Sequence, residues 1–175
     1  MELVKKHVDT KMAIYSTLAI IAGVVLPQLF HIAGWTGPTF LPMHIPVLLA
    51  GFMLGPKYGL VVGMSSPLIS SAITGMPVAF PMLPIMILEL GTYGLISGLL
   101  SKKTKVPVVI SLVITMLIGR ISYAIVYYTI LFAILPTISS NISPIGAVIT
   151  GWPGIVIQIL AIPIVVTALR RRTEK

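Results

Sequence analysis

The 175 residues contain no cysteine, which excludes a disulfide framework, a thiolate nucleophile and a zinc–thiolate site. Charge is scarce as well. Only 9% of the residues are Asp, Glu, Lys or Arg, and 4 acidic residues stand against 12 basic ones. A soluble domain of this length needs a polar surface that so few charges would not supply. Histidine occurs only at positions 7, 31 and 44, a spacing that holds no metal. His-Glu-x-x-His and Gly-x-Ser-x-Gly patterns, GxGxxG and Walker loops, and paired acids within an apolar run are all missing. The chain is therefore expected to be no enzyme, and to bind neither ATP nor another cofactor by a recognisable loop. No polar stretch is long enough for a linker, so residues 1–175 read as one integral-membrane unit.

What fills the chain is apolar sequence. Hydrophobic residues make up 57% and the mean hydropathy is +1.06. Runs near twenty residues recur along the whole length, the pattern of a polytopic helical membrane protein. The short alternating segments of a membrane β-barrel are not seen. The expected fold is all-α, a compact bundle of six transmembrane helices. The spans run from about Met12 to Phe30, His44 to Leu54, Tyr58 to Thr74, Pro81 to Leu100, Val106 to Leu135 and Pro144 to Leu169. The first is read as a retained span, being long for a signal-peptide core. The second is too short to cross ~30 Å of hydrocarbon at ~1.5 Å per residue unless residues 39–43 contribute. HIAGWTGPTFLPM (31–43) reads as an ordered loop or partly re-entrant segment, and GPKYG (55–59) as a turn with Pro56 opening a helix.

The basic residues set the orientation. Lys5, Lys6 and Lys11 precede span 1, Lys57 separates spans 2 and 3, Lys102, Lys103 and Lys105 separate spans 4 and 5, and Arg170, Arg171, Arg172 and Lys175 follow span 6. Segments 31–43, 75–80 and 136–143 hold no Lys or Arg. Six spans place every basic segment on one side, so both termini are expected to be cytoplasmic. The net charge of +8 then reflects the positive-inside bias and a lipid bilayer, and no nucleic-acid partner is expected.

Two charges remain inside the apolar runs, Glu89 on span 4 and Arg120 on span 5. Counting ~1.5 Å per residue from the span ends, Glu89 lies ~12 Å and Arg120 ~9 Å below the outer face of a ~30 Å core. A charge at such a depth needs a partner or a polar cavity. Two readings stand open: the two pair simply to fix the helix packing, or one or both face a ligand cavity open to the outside. Tyr123 and Tyr127 follow Arg120 on its helical face and Tyr93 follows Glu89 by one turn, with Met82 and Met86 before it. Gln158 is an amide inside span 6, suited to an interhelical hydrogen bond or a ligand contact. Outer segments carry His31, Trp35, His44, Asn141 and Trp152. Span 1 bears small residues at Ala13, Ser16, Thr17, Ala19 and Gly23, at spacings that allow close helix approach.

The stretches LPMHIPVLLAGFMLGPKYGLVVGMSSPLISSAITGMP and MLPIMILELGTYGLISGLL, within 41–100, resemble the S components of energy-coupling factor (ECF) vitamin transporters, in the branch that includes the pantothenate and pyridoxine components. The likeness extends over nearly the whole chain. It implies a substrate-binding subunit of a bacterial plasma membrane, Gram-positive in the family, with a pocket toward the outer face among spans 4 to 6 and the 1–2 loop as a lid. Residues at those places are Glu89, Tyr93, Arg120, Tyr123, Tyr127, Asn141 and Gln158, with Trp35 and His44 in the lid region. The family docks on a membrane T component through Ala-x-x-x-Ala on span 1. Ala13-Ile-Tyr-Ser-Thr17 is the nearest match, and makes Ala13, Ser16 and Thr17 the docking candidates. Two cytoplasmic ABC-type ATPases, acting through the T component, use the ATP.

The sequence thus reads as the capture subunit of a vitamin importer, with Arg120 meeting an anionic group and Glu89 orienting it or accepting ligand hydroxyls. Pantothenate is favoured, then pyridoxine or a hydroxymethyl pyrimidine. Two alternatives stand beside it: a self-sufficient transporter using Glu89 as a proton site, and a non-transporting assembly subunit.

Overall fold

A computed structural model describes residues 2–103, 106–133 and 143–173, with side chains for 10–102, 106–132 and 143–171. The segment 134–142 before the last helix, Asn141 included, lies outside the described residues. The elements are α1 (Glu2–Ile32), α2 (Gly37–Phe40), α3 (His44–Leu54), α4 (Pro56–Thr74), α5 (Met82–Lys103), α6 (Val108–Ala133) and α7 (Pro144–Thr173). No strand occurs among the described residues, so the all-α expectation holds.

Among the described residues, five segments are long and apolar enough to cross a membrane: Thr10–Ile32, Gly37–Leu54, Met82–Lys102, Val108–Phe132 and Pro144–Arg171. The second makes good the short length of span 2. α2 and α3 lie in series, and with the residues between them the segment Gly37–Leu54 has 18 residues, ~27 Å at ~1.5 Å per residue if it ran along one axis. They are not one helix, because Leu41 takes a left-handed conformation with φ 51° and its N–H closes on the Gly37 carbonyl at 2.8 Å. A β-unbranched leucine at positive φ is a local strain that surrounding contacts must hold.

α4, with 19 residues, corresponds to the third expected span, and its sequence is poorer in apolar residues because most of its inner face is small. Gly59, Val62, Gly63, Ser66, Pro67 and Ser70 are buried, and their three- and four-residue spacing defines one face. That face meets α1, α3 and α5. Gly59 and Gly94 sit against each other's backbone, and Gly63 sits against the Leu90 carbonyl. A side chain at either Gly59 or Gly94 would drive into main chain, so α4 and α5 pack backbone to backbone, the approach that small residues permit in membranes. The buried hydroxyls of this region are satisfied locally: Ser66 Oγ donates to the Val62 carbonyl at 2.7 Å and Ser97 Oγ to the Gly94 carbonyl at 3.2 Å.

The core around α3 and α5 contains Val47, Leu48, Leu90, Leu112, Ile162 and Val166. The outside is apolar too. Ile32 is 84% exposed, Phe132 85% and Ile73 71%, which in water would be a liability and in a bilayer is the lipid face. α1 is the least enclosed span, and Gly23 lets it come close to Ser66 of α4. At one end of the bundle, Arg170 Nη2 donates to Ser101 Oγ at 2.6 Å and Ser101 Oγ donates to the Phe52 carbonyl at 2.7 Å. Lys102 lies over the turn at Gly55. The ends of α3, α5 and α7 thus gather at one place with their basic residues, the clustering that the charge distribution demands.

Candidate ligand site

Glu89 and Arg120 meet. Arg120 Nη1 lies 3.0 Å from Glu89 Oε1, with the glutamate side chain 2% exposed and the arginine 16%. Helix geometry explains the meeting. α5 and α6 pack against each other, and each carries its charge on the facing side. Glu89 and Tyr93 are one turn apart on α5, and Arg120, Tyr123 and Tyr127 recur at three and four residues on α6. The guanidinium also lies over the Tyr123 ring, 5.8 Å from its centroid, within cation–π range.

His44 is the third member of the cluster. It opens α3 and is buried with 3% exposure. Its Nε2 lies 3.8 Å from the same Glu89 Oε1 that faces Arg120, and its ring stands edge-on to Tyr93 at 5.2 Å between centroids. The resemblance put His44 in the lid region; the fold puts it beneath, among the buried charges. The Tyr93 ring in turn packs on the backbone of α6 at Gly119, where a Cβ would strike it at 2.5 Å. Gly119, adjacent to Arg120, is a site residue that sequence reasoning missed. A glycine beside a buried charge on a long apolar helix was the signal.

The cluster is incompletely satisfied. Among the described residues, the buried side-chain nitrogens and oxygens with no hydrogen-bond partner are His44 Nδ1 and Nε2, Glu89 Oε1, and Arg120 Nε and Nη2. The 3.0 Å ion contact lies off the hydrogen-bonding direction, so Oε1 keeps its accepting capacity. Buried polar groups are almost always paired. Their failure to pair here, and in these three residues together, marks the spot where the bundle offers polar groups without using them.

A second layer ties the 37–41 segment over this region. α2 packs on α7, where Gly154 faces the Phe40 carbonyl and Gly151 faces Leu41. Gln158 Nε2 donates to the Leu41 carbonyl at 3.4 Å, and the His44 N–H donates to that same carbonyl at 3.1 Å. Gln158 therefore acts on the α2–α3 junction that starts the helix bearing His44. Trp35 does not join the charges. It forms an aromatic group with Phe30 and Phe40 at 5.3 and 5.1 Å. Tyr127 sits with Ile85, Tyr123 and Ile130 in a separate apolar cluster. On α1, Ala13 and Thr17 lie on the exposed face, whereas Ser16 is buried and donates to the Met12 carbonyl at 2.8 Å. Among the described residues no group of His, Asp or Glu could hold a metal ion.

Comparison with known families gives one match. The family model described as "ECF transporter, substrate-specific component" matches residues 10–169. The chain belongs to this family. It is thus a substrate-specific membrane subunit of an ECF transporter, a multi-pass protein working with membrane and ATPase partners on a small-molecule substrate. No curated protein and no solved structure matches. The S component's match spans α1 to α7, so every member of the charged cluster lies within the family's own domain.

Proposed function

We propose that this S component captures a small water-soluble vitamin from outside a bacterial plasma membrane and passes it to a T component driven by two cytoplasmic ATPases. Pantothenate is the favoured ligand, ahead of pyridoxine and a hydroxymethyl pyrimidine. The chain itself carries no cofactor; ATP is used by the partner ATPases. The observation that carries the reading is the set of unpartnered polar atoms on His44, Glu89 and Arg120, buried together in the bundle. A pair kept only for helix packing is expected to satisfy its own hydrogen bonds, because each unmet group costs roughly 1–3 kcal/mol. The oxygen atoms of a small ligand would accept from the nitrogens of His44 and Arg120.

Mass spectrometry of the small molecule that co-purifies with the chain in mild detergent tests the capture role. Liposomes tests the coupling: uptake needs the T component and ATPases together with ATP. Ion-driven accumulation by the chain alone would return the proton-coupled alternative. Ala13→Leu combined with Thr17→Leu adds bulk to the exposed face of α1; vitamin binding by the isolated chain should persist while ATP-driven uptake falls.

A further inference from the structure

The charged cluster is used unevenly. Arg120 turns Nη1 toward Glu89, while Nε and Nη2 are buried and unpartnered. Those two nitrogens form the side edge of the guanidinium. Their N–H bonds are parallel and match the two oxygens of a planar carboxylate. His44 stands close by, because its Nε2 and Arg120 Nη1 both lie within 3.8 Å of Glu89 Oε1. Neither ring nitrogen of His44 is spoken for, so the imidazole has at least one N–H to give.

Charge balance narrows the ligand further. Glu89 neutralises Arg120, so a cationic ligand would bring a third charge beside an arginine whose free edge can only donate. A dicarboxylate would need a second cation, and among the described residues Arg120 is the one Lys or Arg in the interior of a candidate membrane span rather than at its ends. A neutral ring offers that edge single acceptors rather than a matched pair. We propose that the Nε–Nη2 edge of Arg120 and the ring of His44 form the receptor for one carboxylate on an otherwise uncharged small molecule. Glu89, on the other side of the guanidinium, is then a positioning residue and not a ligand contact. His44 becomes a specificity-determining residue. The inference deepens the vitamin-capture reading and rests on it.

The test uses the full chain in nanodiscs, stripped of co-purified ligand, and titration calorimetry with matched pairs: pantothenate and pantothenol, biotin and biotinamide, nicotinate and nicotinamide, with pyridoxine as a further neutral probe. One carboxylate should bind tightly and its neutral counterpart about 100-fold more weakly, because a site built for paired donors rejects an analogue without the acceptors. Arg120→Gln should bring the carboxylate down to the level of its neutral counterpart and leave that counterpart within about threefold. Arg120→Lys should recover part of the preference, and His44→Gln should narrow it about tenfold. Ser101→Ala, in the clasp at the basic ends of α3, α5 and α7, should leave the preference within about threefold. The readout is a ratio of two affinities, which a merely destabilised protein does not shift. Tight binding of pyridoxine or of any neutral member, or a carboxylate preference that survives Arg120→Gln, overturns the carboxylate receptor and leaves vitamin capture standing. Failure of every probe to bind the native chain overturns both.

Discussion

Along α5, Leu90, Gly94 and Gly98 meet the backbone at α4, whereas Glu89 and Tyr93, one position earlier in successive turns, join His44 of α3 and Arg120 and Gly119 of α6. One helix thus serves two kinds of interface. At the α4 seam, side chains are pared away until main chain touches main chain, and the hydroxyls nearby turn back on their own helices. At the charged cluster the polar groups outnumber their partners. Lipid gives helices no hydrophobic reason to associate, so packing of the first kind supplies the rigidity. A rigid seam lets the second interface keep unpaired groups, because neighbouring helices cannot move to satisfy them. Stability and recognition lie side by side on one element, and a substitution should affect one or both according to which face it alters.

The strongest challenge to this division is Gly59→Leu. Its side chain would enter the α5 backbone at Gly94, where no rotamer change relieves the clash, and overpacking costs roughly 1–3 kcal/mol or more. Size-exclusion chromatography in detergent should show loss of the monodisperse peak, and binding should go with it. A stable, ligand-binding Gly59→Leu protein would dissolve the contrast. Next in size is Arg120→Ala, expected to abolish tight binding and to lower the melting temperature, since stranding one buried charge costs roughly 3–5 kcal/mol. Adding Glu89→Ala should recover much of the thermal stability and none of the binding. Recovery of both would make the pair a packing device only.

Smaller effects sharpen the picture. Ser101→Ala removes both the acceptor of Arg170 and the donor to the Phe52 carbonyl. It should cost about 1–2 kcal/mol in thermal unfolding while the ligand Kd stays within twofold, because this clasp joins the basic ends of α3, α5 and α7 and touches no member of the charged cluster. Gln158→Leu should be mildest in stability and raise the ligand off-rate a few-fold in stopped-flow measurements. It loses a single long hydrogen bond to the Leu41 carbonyl, freeing the α2–α3 junction without altering the charges.

Much of the outline was legible because it depends on local sums. Apolar run length marked the helices, and the basic residues marked one end of the bundle, where Lys102, Arg170 and the Gly55 turn now gather. The shared depth of Glu89 and Arg120 on adjacent spans was legible as well, while their meeting was one of two open readings. The α4–α5 seam was visible only as glycines in a row. Which glycine faces which is a matter of register between helices, and single-chain spacing does not contain it. His44 shows the same limit. On sequence it opened the second span and stood, by resemblance, in the lid region; only the left-handed turn at Leu41 starts α3 so that its first residue points inward.

By itself, then, the order of residues determined an all-helical membrane protein, the ends that carry positive charge, and the two ionised side chains that needed each other. Hydropathy and charge act residue by residue, so they survive without a structure. Tertiary structure alone decided that His44 shares a carboxylate oxygen with Arg120, that Trp35 stays with Phe30 and Phe40, and that one edge of the guanidinium remains unused. Those outcomes depend on the relative rotation and offset of packed helices, which main-chain contact at Gly59 and Gly94 imposes from the far side of α5.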